Sequence, residues 1–329
     1  MTTTKSPSLF RRAWAFNWPL TLTVLLNLAL IPLLLAAMLV DPKSITGVNG
    51  WIKPLKFTTS VAIYAATFLW LLTLVQGRRR WVQLAANLTA LGLMVEIVLI
   101  TLQVVRGTTS HFNVATPFDA AIFSTMGALI TMVAVLNLVL ATWLLLQRMP
   151  DPAVAWALRL GVLISFVGMM VGFLMTAGPT PEQLEALQAG APLTVVGAHS
   201  RGVADGGPGL PLLGWSTTGG DLRVGHFVGL HAMQVLPLLA FLLTRPAARR
   251  RFSTRQRTLL VWTAGLGYLA LTLLTTWQAL RGQPLLAPDS ATWLAVAVWL
   301  GVTLGAGAAI LLAGNRRSQK TLAAATAGR

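Results

Sequence analysis

Residues 82–105 read VQLAANLTALGLMVEIVLITLQVV, between the basic turn Arg78-Arg79-Arg80-Trp81 and the pair Arg106-Gly107. A bilayer core needs about 20 consecutive apolar residues per helix. This run meets that length, carries one acid, Glu96, and is flanked by arginine, so it predicts a membrane-spanning helix. Seven further runs follow the same reading: roughly 14–40, 57–76, 120–146, 153–175, 227–243, 259–280 and 291–313. The composition agrees. Of 329 residues 55% are hydrophobic and 10% charged, and mean hydropathy is +0.70. Soluble proteins average about 25% charged residues, and disorder requires low hydrophobicity, so both classes are excluded. Cysteine is absent, which removes disulfides, thiolate nucleophiles and Cys-ligated metal centres. The fold class is all-α: a polytopic membrane protein of eight transmembrane helices.

The net charge of +16 reflects topology rather than nucleic-acid binding. With the N-terminus inside, 18 of the 25 basic residues fall between spans on the inner side, in Lys5, Arg11 and Arg12, Arg78–Arg80, Arg148 and Arg159, the 245–257 segment, and the C-terminal tail. The outer side balances seven basic residues against seven acids. Excess Lys and Arg mark cytoplasmic loops, so both termini are expected in the cytoplasm of a bacterial-type inner membrane. The first span is too long for the apolar region of a signal peptide and is expected to be retained.

The chain reads as two copies of a four-span unit, 1–150 and 151–329. Gly50–Phe57 aligns with Gly220–Phe227, Arg78–Trp81 with Arg249–Phe252, and Gln103, Arg106 and Gly107 with Gln278, Arg281 and Gly282. Ala13–Ala15 aligns with Ala155–Ala157. These pairs occur in one order at equivalent points of the topology. An even number of spans per copy predicts a parallel repeat about an axis along the membrane normal. Such a four-plus-four arrangement resembles, in outline, that of heme A synthase. The likeness is architectural, because the histidines here do not form paired ligands in the two copies.

All four histidines, His111, His199, His226 and His231, fall on the outer side. Lys53, Lys56, Ser60 and Tyr64 share a helical face, and so do their counterparts Arg223, His226, Leu230 and Gln234. Glu96, Gln103 and Arg106 share another. Ionisable groups in membrane spans are functional candidates. The expected catalytic set is His231, His226 and Asp221. The expected ligand-binding set is Arg223, Arg106, Gln234, Lys53, Lys56, Gln103 and Glu96, with arginines holding an anion. A metal ion would take His111, His226 and His231. Haem fits less well, since no histidine lies deep in a span. Lys43, Arg281 and Asp289 are expected at the headgroups, where long cations snorkel.

The loop 176–225 is long for a connector, and loops of that length usually carry function. Residues 181–188 suggest a short amphipathic helix, and the remainder, rich in Gly and Pro, a lid. No Walker, Rossmann or zinc-protease motif is present. The expected function is an outward-facing His/Arg/Asp pocket under this lid, binding a small or lipidic ligand, with or without a metal, with or without chemistry on it. The alternative is a secondary transporter using Glu96 and the polar stripes. A third reading is a haem-binding redox protein. Partners are membrane lipids and a small ligand, not nucleic acid.

Overall fold

A computed structural model describes residues 8–327, with side chains through residue 313. Lys5 and Arg329, and the side chains of Arg316, Arg317 and Lys320, lie outside the described residues. The helices are α1 (Leu9–Phe16), α2 (Trp18–Val40), α3 (Ile52–Thr73), α4 (Arg79–Val105), α5 (Pro117–Leu146), α6 (Pro152–Leu174), α7 (Pro181–Gln188), α8 (Leu222–Thr244), α9 (Pro246–Arg251), α10 (Thr254–Leu280) and α11 (Ser290–Ala327). Among the described residues eight are long and apolar enough to cross a membrane: α2–α6, α8, α10 and α11 through Ala313. Two antiparallel strand pairs of two residues each complete the structure, β1 (Ser44–Ile45) with β2 (Val48–Asn49) and β3 (Ser200–Arg201) with β4 (Gly220–Asp221).

The first apolar run is divided. Asn17 is extended (φ −156°, ψ 105°), and its side chain caps α2 at the Leu20 N–H, with Pro19 in the first turn. An N-cap with proline just inside the helix starts a new helix, so α1 stands apart with Phe10, Trp14 and Trp18 exposed. The helix foreseen at 181–188 is present as α7. Its capping box joins Thr180 and Gln183 in both directions.

The chain folds as two compact units. The first holds the chain through Trp143 together with 176–198 and 205–207. Its core packs Leu20, Ala65, Phe68, Leu72, Ala86 and Ile100. The second holds Leu144–Met175, His199–Ala204 and the chain from Pro208. There α6 packs on α8 through small residues. A Cβ on Gly168 would stand 2.5 Å from the Leu230 nitrogen, and one on Gly161 would stand 3.0 Å from the Ala232 carbonyl oxygen and 3.2 Å from the Met233 Cα. Membrane helices approach through such residues because lipid offers no hydrophobic drive for association.

Corresponding points of the two units have matching local geometry. α4 and α10 both end in a Schellman cap. Gly107 (φ +76°) and Gly282 (φ +70°) take the left-handed conformation, Thr108 N–H donates to Gln103 O, and Gln283 N–H donates to Gln278 O. Glycine adopts this conformation without steric cost. In each unit the arginine before that glycine pairs with an acid at the start of the next span, Arg106 with Asp119 and Arg281 with Asp289. A two-stranded pair precedes both α3 and α8.

Candidate functional site

In the first unit the loop 107–116 folds inward. Ser110, Phe112 and Asn113 are buried, and Asn113 ties the loop by donating to Thr108 Oγ1 and accepting from Ala115 N–H. Phe112 has φ +65°, a conformation that costs a bulky residue about 1–3 kcal/mol. It is held there by Val196 N–H, which donates to Phe112 O at 2.9 Å, and by ring packing on Phe123. Val114 N–H in turn donates to Thr194 O. The 194–196 part of the long loop thus straps the segment that carries His111. Gln183, from α7, anchors that strap by bonding both the N–H and the carbonyl of Gly197.

The inward fold brings His111 Nε2 to 3.7 Å from Glu96 Oε1. Glu96 is 1% exposed and lies about 14 Å along α4 from Val105, at about 1.5 Å per residue. His111 Nδ1 bonds Ser110 Oγ at 3.0 Å, and its ring packs 5.3 Å from Phe57. Lys53 lies within electrostatic reach of Glu96. At 3.7 Å the Glu96–His111 contact is ionic range, not a hydrogen bond. Glu96 Oε2 is buried with no hydrogen-bond partner among the described residues. Deeper in the same unit Asn27 Oδ1, Thr89 Oγ1 and Asn137 Oδ1 are also buried without partners, as is Thr58 Oγ1 on α3. Asn137 Nδ2 reaches the Tyr64 hydroxyl at 3.5 Å. At the far end Asn17 donates to both Gln83 and Asn87. Polar groups therefore recur along the interior of this unit.

The other expected residues have local partners. Arg106 bonds Gln103 and Asp119, and Gln103 Nε2 donates to Asp119 Oδ1 at 2.8 Å. Asp119 also accepts from Thr116 Oγ1. This cluster joins α4 to α5 and satisfies itself. Lys53, Lys56, Ser60 and Tyr64 are all half-buried, as one face of α3.

In the second unit Asp221 caps α8 and accepts from Ser216 N–H at 2.8 Å and from the Arg223 guanidinium. Arg223 Nη2 donates to Gly214 O at 2.6 Å. These two fasten the 208–219 segment to α8. His226 Nδ1 bonds Gly168 O at 2.7 Å, in space that Gly172 leaves for its ring. His231 is exposed and bonds Phe227 O of its own helix. His199 and His231 are near enough to act on His226 electrostatically. Gln234 is half-buried on α8. His226 and His231 belong to the second unit and His111 to the first. Among the described residues no group of three or more His, Asp or Glu side chains is placed to hold a metal ion.

The buried pairing of Glu96 with His111 and the partnerless oxygens of Asn27, Thr89 and Asn137 were not foreseen. The asparagines interrupt long apolar runs, and that interruption is the signal that points to them. Compared with protein-family models, curated proteins and solved structures, the chain matches none.

Proposed function

We propose that this multi-pass membrane protein, with its termini in the cytoplasm, binds a small ligand from the outer side at Glu96, His111 and Lys53, and that a proton on the Glu96–His111 pair is exchanged as the ligand binds. The observation that carries this reading is Glu96: a buried acid with one oxygen facing an imidazole and the other without a partner. An ionised carboxylate only accepts hydrogen bonds, and leaving it buried and unmatched is costly. A ligand bearing an N–H donor or a positive charge satisfies Oε2, and the Phe57 ring offers its face to the same cation. His111 takes or returns the proton, since imidazole is the side chain that titrates near neutrality.

Transport is favoured over chemistry on a bound ligand by the partnerless groups below Glu96. Asn27, Thr89 and Asn137 continue the polar interior of this unit away from Glu96, as a pathway requires. The test is a thermal-shift screen of small amines, amino acids and quaternary ammonium compounds on the purified full chain. A true ligand raises the unfolding midpoint of the wild type by mass action and leaves Glu96→Gln unmoved, with His111→Gln intermediate. The reading fails if compounds that stabilise the wild type stabilise Glu96→Gln equally.

A further inference from the structure

At the opposite end of the first unit, a cleft of about 500 Å³ opens where α1, the end of α3 and the start of α4 meet. Arg12, Arg78 and Arg79 line it with Phe16, Leu72, Val75, Val82 and others, and no acid is among the lining residues. None of the three guanidinium groups makes an ion pair or hydrogen bond among the described residues. Arg250 and Arg255 of the second unit are likewise without an ion pair or hydrogen bond among the described residues, while other arginines there are paired. In the second unit Arg159 donates to Leu144 O and Gln147 O, and Arg249 and Arg257 share Asp151.

The surroundings hold the three cations together. Gln83, in the first turns of α4, donates to Phe16 O at 2.7 Å and accepts from Asn17 Nδ2 at 2.7 Å. This fixes the α1–α2 junction over the start of α4, with Arg12 on one wall and Arg78 and Arg79 on the other. No side chain caps the N-terminus of α4, so its first N–H groups and the positive end of its dipole add to the same field. Beside the cleft α1 exposes Leu9, Phe10 and Trp14, and the Phe10–Trp14–Trp18 rings follow one another at 5.7 and 6.3 Å. Exposed aromatic side chains on a short helix beside a membrane span are typical of the headgroup level.

We propose that this cleft binds the phosphate of an anionic phospholipid. The arginines and the α4 N-terminus hold the phosphate oxygens, since guanidinium matches phosphate bidentately. The glycerol and first acyl carbons lie on Leu72, Val75 and Val82. Basic pockets at the ends of membrane helices recognise such headgroups. The apolar wall, together with the exposed aromatics of α1, favours a lipid over free phosphate.

Native mass spectrometry of the full chain in neutral detergent tests this with short-chain phosphatidylglycerol, phosphatidylcholine and inorganic phosphate as probes. The wild type is expected to prefer phosphatidylglycerol over phosphatidylcholine by about tenfold or more, at roughly 1 kcal/mol per basic contact, and to keep it in excess inorganic phosphate. The Arg12→Gln/Arg78→Gln/Arg79→Gln variant loses the preference. Arg250→Gln/Arg251→Gln/Arg255→Gln, with the same charge removed from the other unit, keeps it. Arg79→Gln alone gives a partial loss should the triple variant fold poorly. Equal binding of the two lipids, equal loss in both triple variants, or binding of inorganic phosphate without phosphatidylglycerol overturns the proposal.

Discussion

The two units handle their polar groups differently. In the second, several charged side chains close on near neighbours, Asp221 with Arg223, Asp151 with Arg257 and Arg281 with Asp289, although Arg257 Nε is buried without a partner. His226 closes on a backbone carbonyl, and α6 and α8 meet at glycine. In the first, Glu96 keeps an oxygen without a partner, Asn27, Thr58, Thr89 and Asn137 do the same, and three arginines line a cleft unpaired. A satisfied interior is rigid, and an unsatisfied one calls for a ligand, water or proton. The caps at Gly107 and Gly282 have matching local geometry in the two units.

The largest effect expected from this contrast is at glycine. Gly168→Ala places a methyl group 2.5 Å from the Leu230 nitrogen and 2.7–2.8 Å from Gly229 backbone atoms, which cannot yield as a side-chain tip does. The expected loss is about 3 kcal/mol or more, including failure to fold. Gly92→Ala in the first unit meets the Met132 and Val133 side chains at 3.2 Å and the Leu129 carbonyl at an ordinary 3.6 Å, and the helical gain of alanine offsets that crowding to within about 1 kcal/mol. Thermal midpoints of the two variants in one detergent compare them directly. Equal midpoints would remove the claim that the second unit is the tighter scaffold.

Next in size is Asp151, the hub of the second unit's inner end. Burial raises its carboxyl pKa, but Arg257 and the Ala153 and Val154 N–H groups outweigh that and hold it below the usual range. A folded pKa below the unfolded one contributes stability above about pH 4 that is lost as pH falls through the folded value. Asp151→Asn is therefore expected to cost about 1–3 kcal/mol at pH 7, and its midpoint should approach that of the wild type as pH drops below 4. A deficit that stays constant over that range would place the stabilisation elsewhere.

Smaller in stability but decisive for function is Glu96→Leu, which removes the buried acid and keeps a side chain of similar size. Replacing a buried, poorly matched acid with an apolar side chain should raise stability by about 1 kcal/mol or more and abolish ligand response. A destabilised variant would mean that Glu96 is structural.

What the sequence made legible follows from physics that acts locally. Apolar run length marked the eight helices, arginine marked their turns, and the glycines after Arg106 and Arg281 marked their caps. Charge alone could not say which partner each group takes. Arg106 was expected to hold an anion and holds Asp119. Asp221 and Arg223 were expected at a site and fasten a loop. The meeting of His111 with Glu96 was hidden because depth counted along α4 places them far apart. The count treats 107–116 as an outer loop, while left-handed turns at Gly107 and Phe112 carry it inward. Such a fold-back depends on Val196 and Thr194, which lie 84 and 80 residues in sequence from their partners Phe112 and Val114, and no local pattern encodes it.

The smallest effect sharpens the comparison most, because it sets equivalent residues side by side. Arg106 and Arg281 both bond the acid that opens the next span, but the acids differ. Asp119 has a side-chain exposure of 5% and Asp289 of 40%. Arg281 holds the Asp289 carboxyl well below the usual range, with help from the Thr292 N–H, yet solvent screens an exposed pair, and Arg281→Gln should cost little. Arg106→Gln leaves a buried carboxylate with Gln103 and Thr116 alone, so its cost should be larger by about 1 kcal/mol. High salt should narrow the Arg281 deficit and leave that of Arg106 nearly unchanged, since buried pairs are screened less. If both deficits shrink together in salt, the two pairs are equivalent, and the first unit's polar groups are no more enclosed at this point than the second's.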